Sequence, residues 1–217
     1  MKIYNKNYWN NYYNLKKSNN VPSNFARFTL KKFIKKDTYL LDVGTGDGRD
    51  SFYLRKKAKI IYSIDQSSSA INKNRLKAKR LGYKNLNFRN LSSSELKKIK
   101  KKKINFIYAR FFLHAINEIS ENVFLKGIKR YFSSNTIIGF EFRTTKDVLM
   151  KKGKKISKYE RMTDHYRRFI NVKSFEKKLK KMDFKIIYKK QGVNLSKSLN
   201  DNPHLCRIFF IKKSKLD

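Results

Sequence analysis

The sequence predicts an α/β fold of three layers, in which a mostly parallel sheet lies between helices. Apolar runs rich in β-branched and aromatic residues alternate with charged, amphipathic stretches, which is typical of strand–helix–strand units. The length of 217 residues fits one ordinary domain better than two. We therefore expect a single domain over residues 1–217, large enough to bury a core without a disulfide or a metal.

The expected strands are the apolar runs near residues 39–43, 59–64, 85–89, 104–109, 136–142, 184–190 and 206–212. Helices are expected between them, at about 24–35, 48–57, 68–81, 92–98, 118–132 and 172–182. The serines at 67–69 and Asn171 offer oxygens that begin two of these helices, and Gly82 is placed to end one. The polar segment 144–170 is too long for a tight turn, which is typical of a binding loop or lid.

The net charge of +38 has two interpretations. Nucleic-acid binding is the usual one, because lysine and arginine release counterions from phosphates. The basic residues are spread from end to end, however, and the chain is rich in asparagine and isoleucine, which AT-rich codons also specify. We therefore interpret the charge mainly as a coding bias and keep a nucleic-acid partner as the alternative.

Other features of the composition exclude several classes of protein. The single cysteine, Cys206, excludes an internal disulfide framework. No stretch approaches the roughly 18 consecutive apolar residues of a membrane span, and residues 1–5 lack the apolar run of a signal peptide. No group of His, Cys and Asp has metal-ligand spacing. We expect a cytoplasmic protein without a metal or a membrane partner.

A glycine-rich turn follows the first apolar strand. Gly44, Gly46 and Gly48 come directly after it, and glycines there let the backbone turn tightly and approach a ligand. The dinucleotide fingerprint requires its third glycine at the position of Arg49, so a nicotinamide site is not indicated. Asp65 closes the next strand about twenty residues later, where a carboxylate can bind both ribose hydroxyls of a nucleoside.

These residues make the chain resemble the class I S-adenosylmethionine-dependent methyltransferases over roughly residues 37–142. The resemblance implies a Rossmann-like sheet that ends in an antiparallel C-terminal hairpin, and it implies S-adenosyl-L-methionine as the cofactor. Gly44, Gly46 and Gly48 would line its methionine part, Asp65 would hold the ribose and Gln66 would lie beside the adenine. The expected site is completed by Asp42, which either braces the turn or reaches the methionine amino group, by Asn90 or a backbone group near the adenine, and by Arg110.

The resemblance also divides the domain into parts. Residues 1–36 are expected to form an N-terminal helical lid, 37–142 the cofactor-binding core, 143–171 an acceptor-loop insertion, and 172–217 a C-terminal helix and hairpin. The aromatic stretch 8–13 either folds over the cofactor or packs its rings on the core.

Methyl transfer from a sulfonium is an in-line displacement, so the protein mainly positions a nucleophile and removes its proton. Reacting groups gather at the carboxyl ends of the strands in such sheets. The residues expected around the acceptor are His114, Arg143, His165, Tyr166 and Arg167. His165 is the first candidate for a base, whether or not its neighbour Asp164 orients it, and His114 either acts or simply packs. The arginines favour an anionic acceptor.

We therefore predict methyl transfer to O or N of a small, anionic metabolite or sugar derivative, in the manner of methyltransferases of small-metabolite and surface-carbohydrate pathways. The alternatives are an RNA methyltransferase and a non-catalytic basic module that binds nucleic acid. Cys206 follows Leu205 rather than a proline, and the chain has only two prolines, which disfavours the cytosine C5 and amino-methylating nucleic-acid enzymes. The oligomeric state stays open.

Overall fold

The computed structural model describes residues 6–15, 19–99, 103–197 and 201–213. Its strands are β1 Tyr39–Val43, β2 Ile60–Asp65, β3 Leu86–Asn90, β4 Phe106–Arg110, β5 Ile137–Arg143, β6 Lys154–Ser157, β7 Glu160–Met162, β8 Tyr166–Arg168, β9 Phe184–Gly192 and β10 Leu205–Lys212. Its α-helices are α1 Lys6–Leu15, α2 Asn24–Lys32, α3 Arg49–Leu54, α4 Ser68–Arg80, α5 Glu118–Tyr131 and α6 Val172–Lys181.

A seven-stranded sheet has the order β3-β2-β1-β4-β5-β10-β9. Strands β1 to β5 pair in parallel, whereas β10 runs antiparallel to both β5 and β9. The predicted mostly parallel sheet with an antiparallel C-terminal hairpin is therefore confirmed. The strand order reverses beside β1, because the chain goes from β1 to β2 on one side and returns to β4 on the other. This reversal leaves a crevice at the carboxyl ends of β1 and β4.

The strands β1, β2, β4 and β5 are buried on both faces, which accounts for their unbroken apolar sequences. Leu41 packs in one cluster with Phe124 of α5 and Phe175 of α6. Its neighbour Leu40 packs in a second cluster on the other face, with Phe25 of α2. Alternate residues of β1 thus contribute to opposite cores, and each fully buried apolar side chain stabilises the fold by about 1.5–3 kcal/mol.

The helix ends follow local sequence signals. Ser67 accepts the Ala70 N–H at the start of α4, and Asn171 accepts the Ser174 N–H at the start of α6. Gly82 follows α4 with a φ of +65°, and its N–H donates to the Lys79 carbonyl. The predicted caps are confirmed at these positions. Within the described ranges, no helix has both the length and the apolar content needed to cross a bilayer.

Two segments differ from the sequence-based expectation. The insertion is more than a loop, because β6, β7 and β8 form a three-stranded antiparallel sheet inside it. Arg168 of β8 attaches this sheet to the core, since its Nε donates to the Ile116 carbonyl and its guanidinium pairs with Glu121 of α5. Residues 93–99 form 3₁₀ turns where an α-helix was expected.

Candidate active site

The three glycines of the turn after β1 all have left-handed backbone angles, with φ of +73° at Gly44, +53° at Gly46 and +73° at Gly48. A Cβ at Gly44 would lie 2.9 Å from the ring of Phe112, and one at Gly46 would collide with the Tyr13 hydroxyl. Glycine is therefore required here for backbone conformation and for space.

Asp65 connects this turn to the end of β2. Its carboxylate accepts the N–H of Gly46 at 2.9 Å and that of Ser67 at 2.8 Å. Burial raises the pKa of Asp65, and the two N–H donors oppose that rise. The side chain also lies on the wall of a cavity, so further acceptor capacity faces a ligand.

Asp42 lies under the turn and is only 3% exposed. Its Oδ2 accepts the Ser51 hydroxyl at 2.5 Å, and Ser51 in turn contacts the Ser63 hydroxyl at 2.7 Å. Burial raises the pKa of Asp42 to about 7, although the hydrogen bonds from Ser51 and Thr45 oppose the rise. Of the two roles left open by the sequence, these contacts favour bracing the turn.

Two cavities meet at the glycine turn. The first has a volume of about 300 Å³ and a largely apolar wall, with Asp65, Gln66 and a run of serines at its rim. The second has a volume of about 310 Å³, and its wall is rich in charge. We call them the apolar and the polar cavity. The polar cavity is lined by two histidines and four arginines, namely His114, His165, Arg49, Arg110, Arg143 and Arg167.

Most of the residues expected at the site line one of these cavities. Gly44, Asp65 and Gln66 line the apolar cavity, and Gly44 lines the polar one too, together with Asp42, Gly46, Arg110, His114, Arg143, His165 and Arg167. Three expected residues line neither. Gly48 is the residue before α3, the Asn90 amide donates to the Asp65 carbonyl at 2.9 Å, and the Tyr166 hydroxyl donates to Glu160 inside the insertion.

His165 and Asp164 form a pair. The Nδ1 atom of His165 lies 2.9 Å from Asp164 Oδ2 and 3.2 Å from the Tyr8 hydroxyl. Burial lowers the pKa of His165, and Arg167 lowers it further. The carboxylate of Asp164 is held by Arg167 and Thr163; burial alone would raise its pKa, but these hydrogen bonds leave it below the usual range. A neutral imidazole beside an ionised carboxylate can accept a proton at Nε2.

His114 has the opposite arrangement. It is buried, and its Nδ1 accepts the backbone N–H of Arg143 at 3.5 Å. Burial lowers its pKa well below the usual value, and the positive charge of Arg143 acts in the same direction. Because Nδ1 accepts in a neutral ring, Nε2 carries the proton and can donate. The polar cavity therefore combines one histidine able to accept and one able to donate.

The arginines of the polar cavity are oriented by carboxylates. Arg143 is paired with Asp147 at 2.9 Å and with Asp201. Arg110 donates from Nε to Glu141 at 3.2 Å, and its guanidinium lies 4.0 Å from the ring centre of Phe111. Among the described residues, no hydrogen bond from the terminal nitrogens of Arg110 accompanies the one from Nε. These nitrogens can bind an anionic group.

Helix α1 closes both cavities from the outside. Asn10 Oδ1 accepts the Ser67 hydroxyl at 3.0 Å, and the Lys73 ammonium donates to the Tyr13 carbonyl at 2.6 Å. Trp9 and Tyr13 line both cavities. The aromatic stretch thus packs on the core and also covers the glycine turn. Residues 1–5 and 16–18 of the expected lid lie outside the described residues. Sequence reasoning gave no role to Phe111, which lines both cavities, and only its place after β4 marked it.

The two cavities fit the cofactor that the resemblance implies. A glycine turn on the wall of both cavities, a carboxylate at the end of β2 and an apolar slot suit a nucleoside joined to a polar chain. The polar cavity opens on the same glycine, so a group held at Gly44 would reach both spaces.

Comparisons with known proteins agree with this geometry. A family model described as a methyltransferase domain matches residues 34–196. An S-adenosylmethionine-dependent methyltransferase from Anabaena variabilis is 18% identical with a TM-score of 0.71, and the match covers 96% of this chain and 95% of that one. The PH0226 protein from Pyrococcus horikoshii is 18% identical with a TM-score of 0.71, covering 87% and 88%.

An rRNA methylase from Streptococcus thermophilus is 14% identical with a TM-score of 0.58, covering 87% of this chain and 95% of that one. At such identities these likenesses show the fold. No curated protein sequence matches the chain. The family model covers well over half of the chain, and the glycine turn lies within it. The chain therefore belongs to the methyltransferase-domain family and is a class I methyltransferase that uses S-adenosylmethionine.

Proposed function

We propose that the protein methylates an oxygen or nitrogen atom of a small, anionic acceptor bound in the polar cavity. The observation that carries this proposal is the pairing of His165 with Asp164 on the wall of that cavity, beside the glycine turn. A volume of about 310 Å³ suits a metabolite or a sugar derivative.

The apolar cavity is our candidate for the adenosine part of the cofactor. When bound, S-adenosylmethionine supplies an electrophilic methyl group on a sulfonium. Asp65 would accept the ribose hydroxyls, Gln66 would lie beside the adenine, and Gly44 and Gly46 would let the methionine part approach the backbone. Gly44 lines both cavities and Gly46 lines the polar one, which supports this placement.

His165 is our candidate for the general base. Asp164 accepts only, so it keeps the ring proton on Nδ1 and leaves the Nε2 lone pair to take the proton of an acceptor hydroxyl or amine. His114 would donate from Nε2 to a second polar atom of the acceptor. The lowered pKa values of both rings support neutral forms at pH 7.

Arg110 is our candidate for binding an acceptor carboxylate or phosphate. Glu141 and the ring of Phe111 fix its position, and no hydrogen bond within the described part of the chain occupies its terminal nitrogens. Arg143 and Arg167 add positive charge, but their own carboxylates offset part of it.

RNA is the second candidate acceptor, and the net charge of +38 is the observation that favours it. The test is S-adenosylhomocysteine release by the purified protein, with a low-molecular-weight metabolite extract in one arm and total RNA at moderate salt in the other. Turnover in the extract alone supports the proposal. Turnover in the RNA arm alone, falling steeply as the salt concentration rises, would contradict the proposal and favour RNA as the acceptor. His165→Gln in parallel shows whether turnover depends on the polar cavity.

A further inference from the structure

Four residues line both cavities, and three of them are aromatic. They are Trp9, Tyr13 and Phe111, with Gly44 as the fourth. A group that passes from a donor in the apolar cavity to an acceptor in the polar cavity therefore passes beside these residues. The side chains at this junction are therefore largely apolar, but the faces of their rings carry π-electron density, which attracts cations.

Trp9 and Tyr13 approach the junction from α1. Their ring centres are 6.0 Å apart with an angle of 26° between the planes, so the rings are stacked. Burial raises the pKa of Tyr13 well above its usual value, and the nearby carboxylates of Asp65 and Asp47 act in the same direction. The phenol is thus neutral, and the contacts of Asn10 and Lys73 hold α1 in position.

Phe111 approaches the junction from the end of β4. Its φ is +56°, a left-handed conformation that is rare for a bulky residue and is found mainly where function retains it. Its N–H donates to the Glu141 carbonyl at 2.8 Å, which fixes the backbone. The guanidinium carbons of Arg110 and Arg143 lie 4.0 Å and 5.7 Å from its ring centre, so cations can lie against this ring, and the charges of these two are offset by Glu141 and Asp147.

We infer that Trp9, Tyr13 and Phe111 form an aromatic collar that binds the positively charged sulfonium of S-adenosylmethionine and discriminates against the neutral product. This inference rests on the placement of the cofactor in the apolar cavity proposed above. Aromatic side chains arranged around a site are the usual protein solution for binding an alkylated cation. Methyl transfer moves the methyl group to the acceptor and leaves the sulfur neutral, while the acceptor proton goes to His165. The collar therefore loses its attraction for the product.

The test compares the affinities of S-adenosylmethionine and S-adenosylhomocysteine, measured by calorimetry without any acceptor. The variants are Trp9→Leu and Phe111→Leu, which remove a ring and keep an apolar side chain, and Trp9→Phe, which keeps a ring. Asp65→Ala is the control, because a ribose contact is common to both ligands. Trp9 is the only tryptophan of the chain, so fluorescence of the unaltered protein gives a second reading of binding at the junction.

We expect each leucine variant to bind S-adenosylmethionine roughly threefold to thirtyfold more weakly, and to bind the product within about twofold of the unaltered protein. Trp9→Phe should recover most of the loss, and Asp65→Ala should weaken both ligands alike. Equal losses of both ligands in the leucine variants would overturn the collar and leave the cofactor site intact. Failure of both ligands to bind the unaltered protein would overturn the cofactor placement itself. If Phe111→Leu does not fold, Trp9→Leu on the surface helix α1 decides.

Discussion

The Nδ1 atom of His165 lies 2.9 Å from Oδ2 of its own chain neighbour Asp164. Both residues lie in the bend between β7 and β8, so their side chains are not directed to opposite faces as they would be in a strand. Arg167 and Thr163 contact the Asp164 carboxylate and hold it beside the His165 ring. The carboxylate of Asp164 and the guanidinium of Arg167 that supports it thus both lie in the four-residue stretch 164–167 inside the insertion.

Replacing His165 with glutamine should lower kcat about 100-fold or more, because a general base contributes about 10²–10⁴ to the rate. S-adenosylhomocysteine release with an active extract fraction measures this. His204→Gln is the matched control, since His204 contacts Thr144 and lines neither cavity. An unchanged kcat in His165→Gln would remove the ring from the mechanism.

The pH dependence of kcat should follow the titration of the His165 imidazole. Burial lowers the pKa of His165 below its usual value of 6.5, and the base is the deprotonated form. The rate should therefore be constant at neutral pH and fall as the pH decreases through that lowered pKa. Asp164→Asn should change the profile, because the ring loses its ionised partner. A rate that stays flat as the pH falls to the point where the protein unfolds would contradict a titrating base.

Removing the Asp65 carboxylate should weaken cofactor binding by about 1.5–3 kcal/mol, which is typical of charge-assisted hydrogen bonds. Calorimetric titration of Asp65→Ala with S-adenosylmethionine measures the loss. Asp37→Ala, at an exposed carboxylate before β1, serves as the control. If Asp65→Ala folds and binds S-adenosylmethionine as tightly as the unaltered protein does, the assignment of Asp65 to the ribose is refuted.

Comparing Gly46→Ala with Gly82→Ala separates the free-energy cost of backbone strain from that of a steric collision. Both positions have a positive φ, +53° and +65°, so both variants should lose about 1–2 kcal/mol of unfolding free energy from the backbone. A Cβ at Gly82 meets nothing within 4 Å, whereas one at Gly46 collides with Tyr13. Denaturant unfolding should therefore show the larger loss for Gly46→Ala, and only that variant should also lose cofactor affinity.

Asp42 should make stability depend on pH near neutrality. Its pKa is raised from 3.8 to about 7 in the folded protein, so the folded state holds one more proton than the unfolded state between those values. Stability contributed by this group is complete below pH 3.8 and is lost as the pH rises through about 7, by up to about 4 kcal/mol. Unfolding free energies at pH 5 and pH 8 should differ less in Asp42→Asn than in the unaltered protein.

The central sheet and the cofactor turn were predictable because their signals are local. The expected strand 39–43 coincides with β1, and 59–64 differs from β2 by one residue at each end. These strands are buried on both faces, which gives them continuous apolar runs. The glycine turn was predictable as well, because glycines at this spacing directly after a strand are a local signal of a ligand-binding turn.

The insertion sheet and the aromatic junction were not predictable from the residues alone. β7 and β8 are three residues long and rich in charge, so they lack the alternation that marks a strand. The position of Tyr13 over Gly46 and the left-handed φ of Phe111 depend on contacts between distant segments. Asn90 and Tyr166, expected at the site, are occupied by other partners for the same reason.

Arg167 and Arg168 are consecutive in β8, and a strand directs consecutive side chains to opposite faces. Arg167 lines the polar cavity, whereas Arg168 holds Glu121 and the Ile116 carbonyl. One face of the strand therefore borders the polar cavity and the other fastens the insertion to α5. Substitutions on the first face can diversify the acceptors of such an enzyme over evolution while the second face keeps the insertion anchored.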